Sequence, residues 1–217
     1  MKIGILGTGG VGQTLGSKLI ELGHEVMMGS RSSNHEKAIE WVNLSGKTAY
    51  HGNFSDASAF GEILFNCTKG DASIEALGTC GNKNLYGKIL IDVSNPLDFS
   101  KGMPPTLSTC NTSSIGEEIQ NKFPEIKVVK SLNTMWSGLM VNPMLIGNGG
   151  HTVFLSGNDE SAKEEVKKIL NQFGWKDDFI LDLGDISTSR GVEMYLPLWL
   201  RTWSATGSAA FNIRIVS

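Results

Sequence analysis

The chain has 217 residues, 40% of them hydrophobic and 19% charged, enough to bury a substantial core in a single domain. A formal net charge of −3 leaves no basic field for nucleic acid or an anionic membrane surface. The three cysteines, Cys67, Cys80 and Cys110, have no metal-ligand spacing; they argue against a disulfide framework and fit a reducing cytoplasm.

The N-terminal apolar stretch, Met1 to Leu6, is only a strand long, too short for a secretion signal. No run reaches the ~20 apolar residues of a membrane span. After this strand comes Gly7-Thr8-Gly9-Gly10-Val11-Gly12. Val11, Leu15, Leu19 and Leu22 then recur at helical spacing, Gly23 stands where a helix ends, and Glu25 to Met28 reads as a second strand. Strand, glycine turn, helix and strand in this order make a dinucleotide-binding fingerprint. Gly7 suits a turn of positive φ, Gly9 lets a pyrophosphate approach the backbone, and Gly12 lets the helix sit close on the strand. The N–H groups of that helix start face the phosphates.

The tip of the second strand selects the coenzyme. An NAD site places Asp or Glu there for the ribose 2′-hydroxyl. This chain has Gly29-Ser30-Arg31-Ser32-Ser33, with a guanidinium and hydroxyls for a 2′-phosphate, which predicts NADP(H). Ser33 and Glu36 form a capping-box pattern for a helix carrying Ala38, Ile39 and Val42, and Lys37 in its first turns adds charge.

Further strands are predicted at Ile63–Phe65, Lys88–Val93, Ile126–Lys130, Thr152–Leu155 and Phe179–Leu181. Ser114 with Glu117 caps one helix; Asn158 or Asp159 caps another that carries Ala162, Val166, Ile169 and Leu170. The stretch from Ser100 to Ser114 reads as a long loop. A last helix starts near Asp185 and bends at Pro197, and alternating Phe211, Ile213 and Ile215 suggest a terminal strand. The expected fold is α/β: a Rossmann-type, doubly wound, mostly parallel sheet with a C-terminal helical extension. It forms one dinucleotide-binding domain over residues 1–217, with a core in 1–150 and added strands and the helix in 151–217.

In such sheets ligands lie beyond the carboxyl ends of the strands. The tips there read Asn66-Cys67-Thr68-Lys69, Ser94-Asn95-Pro96-Leu97 and Ser131-Leu132-Asn133-Thr134-Met135-Trp136. Cys67, Thr68, Ser94, Asn95, Pro96 and Asn133 are therefore candidate coenzyme contacts. No catalytic or metal-binding set stands out, and the four histidines carry no catalytic signature. Met135 and Trp136 suit either an apolar platform or the core.

The glycine turn, Gly29-Ser30-Arg31, Asp92-Val93-Ser94-Asn95-Pro96, Val129-Lys130-Ser131-Leu132-Asn133-Thr134 and Phe211-Asn212-Ile213-Arg214-Ile215-Val216 together resemble the NADP oxidoreductases that use the deazaflavin coenzyme F-420. The central motifs are also similar to the cytosolic NADPH domain of six-transmembrane ferric reductases. The resemblance implies NADP(H) at Thr8, Val11, Ser30 and Arg31, with Ser94, Asn95 and Asn133 near the nicotinamide. It implies hydride exchange with a flavin or deazaflavin as small-molecule electron acceptor, and a homodimer. Two other readings fit the same residues. One is an NADPH-dependent reductase of a small carbonyl or imine, with Thr134, Tyr195 or an ordered water as proton donor. The other is a non-catalytic NADP(H) sensor.

Overall fold

The structure, a computed structural model, describes residues 1–216. The first strand, β1 (Lys2–Leu6), leads through the glycine turn into helix α1 (Gly10–Glu21) and strand β2 (Glu25–Ser30). Helix α2 (Glu36–Ser45) connects to β3 (Ala49–Asn53), and α3 (Phe54–Phe60) connects to β4 (Ile63–Asn66). Helices α4 (Gly70–Cys80) and α5 (Asn82–Leu85) precede β5 (Ile89–Asp92). The predicted loop holds half of a small antiparallel ribbon, β6 (Leu97–Asp98) against β7 (Thr106–Leu107). Then follow α6 (Ile115–Lys122), β8 (Lys127–Ser131), α7 (Ser137–Met140), β9 (Val153–Gly157), α8 (Glu160–Gln172) and β10 (Ile180–Asp182). Two consecutive helices, α9 (Ser189–Met194) and α10 (Leu196–Thr206), break at Tyr195, ahead of Pro197.

The eight-stranded sheet has the order β10-β9-β8-β5-β4-β1-β2-β3. Every pair is parallel except β8 with β9. Alternate strand residues point to opposite faces, and both faces are covered. Ile3, Ile5, Phe65, Ile91 and Val129 pack on one side with Leu15 and Leu19 of α1 and Val166 and Ile169 of α8. Leu6, Leu64, Leu90 and Val128 pack on the other with Ala76 and Leu77 of α4 and Ile115 and Ile119 of α6. This is the doubly wound, mostly parallel sheet expected from the sequence.

The two outer glycines of the fingerprint act mechanically. Gly7 has φ +123°, and a Cβ there would lie 2.6 Å from the Cys67 carbonyl oxygen. A Cβ on Gly12 would lie 2.3 Å from the Gly7 carbonyl oxygen, so only glycine lets α1 seat on the turn.

Three local expectations are corrected. Strand β3 was not anticipated: Ala49-Tyr50-His51-Gly52-Asn53 lacks an apolar alternation, and pairing with β2 holds it at the sheet edge. The Ser33–Glu36 capping box does not form. The N-cap of α2 is His35, and the Ser33 carbonyl instead accepts from His51 Nδ1 at 2.9 Å. The tail through Phe211, Ile213 and Ile215 is not a strand. β9 already has β8 and β10 on its two edges, so the tail is held by isolated bonds, such as Thr152 N–H to Ile213 O at 2.8 Å, and by Phe211 stacked on Trp199. The caps expected at Ser114 and Asp159 do form, each accepting from the backbone three residues on.

Candidate active site

The chain leaves β1 toward β2 on one side, while β4 lies on the other, so the strand order reverses at the glycine turn. That switch point opens a crevice beyond the carboxyl ends. The Gly7 N–H donates to the Gly29 carbonyl at 3.0 Å, docking the turn on the tip of β2. Gly9 is exposed with nothing near its absent Cβ, and the first turn of α1 contains no acidic residue. The open helix start therefore presents N–H groups and positive potential to an anion.

From this turn a groove of about 470 Å³ runs past Thr8, Ser30, Arg31, His35 and Lys69. Arg31 is exposed and makes no ion pair among the described residues. Ser30 is buried; its Oγ donates to Ser32 O at 2.5 Å and accepts from Ser32 N–H, so it shapes the turn that carries Arg31. Phe54 and, from α4, Asp71, Glu75 and Thr79 complete the walls. Lys37 is exposed on α2 and does not line the groove. Sequence reasoning missed His35 and Lys69. His35 reaches the groove as the N-cap of α2, and its Nδ1 is buried without a hydrogen-bond partner among the described residues. Lys69 had a signal, its place directly after Thr68 at a strand tip.

A smaller cavity of about 170 Å³ adjoins the groove and shares Cys67, Thr68 and Lys69 with it. Val11, Ser94, Asn95 and Phe99 close it. Asn95 is fixed by a reciprocal pair: its Nδ2 donates to Asn133 O, and Asn133 Nδ2 donates to Asn95 Oδ1, both at 2.9 Å. Leu132, buried with φ +63°, bends the tip of β8 so that Asn133 can do this. Pro96 is one step removed; its carbonyl accepts from Ser108 N–H at 2.8 Å and closes the β6–β7 ribbon. Gly10 and Gly12 belong to the first turn of α1.

Beneath Ser94 lies a fully buried ionic cluster. Lys130 Nζ contacts Asp92 Oδ2 at 2.7 Å, Glu193 Oε1 at 2.6 Å and the Ser94 carbonyl at 2.7 Å, so each ammonium proton has a partner. Glu193, from α9, also accepts from the Ile115 and Gly116 N–H groups that start α6. Burial works against the Lys130 ammonium, but the two carboxylates outweigh it and hold the pKa above its ordinary value. Burial raises Glu193, with Lys130 opposing. Asp92 Oδ1 accepts from Asn66 Nδ2 at 2.8 Å, Ser94 Oγ at 2.7 Å and Ser94 N–H at 3.1 Å.

The cavity contains no acid–base pair among the residues that line it. Burial, aided by Asp92, pushes the Cys67 thiol far up, so it stays protonated and inert. His24 pairs with Gln172, His51 with Ser33, and His151 with Pro143 and Asn212. Thr134 and Tyr195 do not line the cavity. Met135 is core, while Trp136 is 43% exposed, its ring over Gly138. Among the described residues no group of three or more His, Cys, Asp or Glu could hold a metal ion, and no helix is long and apolar enough to cross a membrane.

Residues 2–96 match the family model for NADP oxidoreductase, coenzyme F420-dependent. A solved protein from Arthrobacter sp. FB24, provisionally assigned as an F420-dependent NADP reductase, is 48% identical, with a TM-score of 0.94 over 100% of both chains. The chain belongs to this family. It is thus an NADP-dependent oxidoreductase. Metalloreductase STEAP3 of Rattus norvegicus is 28% identical over 91% of this chain, and STEAP2 of Homo sapiens is 28% identical over 92%. The chain spans only 38% and 36% of those proteins. An imine reductase from Myxococcus stipitatus in complex with NADP+ has a TM-score of 0.67 at 13% identity, over 95% of this chain and 63% of that one, a likeness of fold alone.

Proposed function

We propose that this protein transfers a hydride between NADPH and a flavin or deazaflavin acceptor of the coenzyme F420 class. The observation that carries the reading is the cavity beside Ser94. Val11 and Phe99 give it apolar walls, Asn95 and Ser94 give it fixed polar groups, and no acid–base pair lines it. Hydride exchange with such an acceptor needs alignment and exclusion of water more than a strong acid or base. When bound, NADPH supplies the hydride.

The residues present fit that coenzyme. Among the described residues Arg31 has no ion-pair partner and the buried Nδ1 of His35 no hydrogen-bond partner, and both residues lie along one groove with the open start of α1. Arg31 holds the 2′-phosphate, with Ser30 and Ser32 shaping its turn. Thr8 and the backbone of Gly9, Gly10 and Val11 hold the pyrophosphate. Ser94 and Asn95, braced by Asn133, face the nicotinamide end. Phe99, 48% exposed at the mouth, offers an apolar edge for the acceptor ring.

An anaerobic screen of acceptors with NADPH tests the reading. Oxidised coenzyme F420, FMN and FAD are compared with a panel of small carbonyls and imines, and the purified protein's absorption spectrum is recorded for retained flavin. The expected result is NADPH oxidation by a flavin or deazaflavin at least ~10²-fold faster than by any carbonyl or imine. Turnover confined to carbonyls or imines contradicts it, as does tight NADPH binding without oxidation by any acceptor.

A further inference from the structure

We propose that Asp92, clamped by Lys130 and Glu193, is a positioning residue that fixes the Ser94 hydroxyl as a hydrogen-bond acceptor toward the cavity, so that the site selects a nicotinamide carboxamide over the corresponding carboxylate. The proposal rests on the reading that the Ser94–Asn95 turn receives the nicotinamide.

Asp92 stands opposite a buried ammonium and can only accept hydrogen bonds. The one proton in its 2.7 Å contact with Ser94 Oγ is therefore the serine's own. Ser94 cannot turn this proton elsewhere at low cost, because its N–H and carbonyl are also held, by Asp92 at 3.1 Å and Lys130 at 2.7 Å. Ser94 lines the small cavity, so what its hydroxyl can still offer a ligand there is a lone pair. A carboxamide N–H₂ donates to a lone pair; a carboxylate is repelled by it and by the Asp92 charge behind it. Glu193 makes the clamp rigid. It occupies the second side of Lys130 and is itself pinned by two N–H groups at the start of α6. Selection by a fixed acceptor is effective because a mismatched ligand leaves buried polar groups unpaired.

The test measures affinities by titration calorimetry for three probes: NADP+, nicotinic acid adenine dinucleotide phosphate, and adenosine 2′,5′-bisphosphate, which lacks the nicotinamide half. The wild-type protein is expected to bind NADP+ at least ~10-fold tighter than the acid analogue. In Asp92→Asn the new amide can donate to Ser94 Oγ and release the hydroxyl proton toward the ligand; the preference falls to about one. Ser94→Ala, which leaves the ionic cluster intact, loses most of the preference too and decides the matter if Asp92→Asn does not fold. In both variants the bisphosphate affinity stays within about twofold of wild type. Equal wild-type affinity for the amide and the acid, or an unchanged preference in Ser94→Ala, overturns the proposal alone. A parallel fall of all three affinities marks a merely structural role and overturns it as well. Failure of the wild-type protein to bind either NADP+ or the bisphosphate overturns the coenzyme reading, and this proposal with it.

Discussion

Replacing Arg31 with Ala is expected to weaken NADPH binding by roughly 100-fold while changing NADH affinity by no more than about twofold, measured by titration calorimetry on both coenzymes. Arg31 is exposed at the tip of β2 without an ion-pair partner among the described residues, so the variant leaves no buried charge uncompensated and the fold stands. The loss is that of charge-assisted hydrogen bonds to a dianionic phosphate, each worth ~1.5–3 kcal/mol. Lys69 lines the same groove and retains part of the positive character, which keeps the loss finite. An equal loss for NADPH and NADH would mean that Arg31 touches the part common to both coenzymes.

The second large effect is on stability. Lys130→Met nearly conserves volume but leaves Asp92 and Glu193 facing one another in the core without their shared cation. Removing one partner of a buried ion pair costs about 3–5 kcal/mol. For a chain of this size that lowers Tm by roughly 10 °C, read by differential scanning calorimetry. The sign of the pH dependence follows from linkage. Burial already raises the Glu193 pKa against the opposing Lys130, and without Lys130 that opposition is gone, so the variant regains stability as the pH falls toward and below the raised value. Lowering the pH from about 8 to about 6 should therefore narrow the gap to wild type. A Tm within about 2 °C of wild type at both pH values would show that the cluster does not hold the fold together.

Much of this was readable in one dimension because the residues concerned act locally. Gly7 and Gly12 are needed for contacts with their immediate neighbours in the turn, and seven of the eight strands of the sheet announce themselves as apolar runs. Arg31 is legible because the tip of β2 follows the fingerprint at a set distance. What escaped depends on partners far along the chain. Strand β3 owes its existence to the neighbouring edge of β2, not to its own composition. Ser33 lost its cap because the turn before α2 is organised by Ser30 and Ser32, which moved His35 to the N-cap and into the groove. The Asp92–Lys130–Glu193 cluster joins residues from two strands and a late helix. Asp92 and Lys130 become neighbours only through the parallel register of β5 and β8, where they are direct partners. The alternating apolar tail failed for the opposite reason: its pattern was right for a strand, but no free edge remained on β9.

The most direct measurement is the affinity of the wild-type protein for NADPH and NADH side by side, by titration calorimetry at one ionic strength. Preference for NADPH by ~10²-fold or more, with adenosine 2′,5′-bisphosphate competing, is the predicted result. Equal affinities, or a preference for NADH, would contradict the assignment of the groove at Arg31 to the 2′-phosphate.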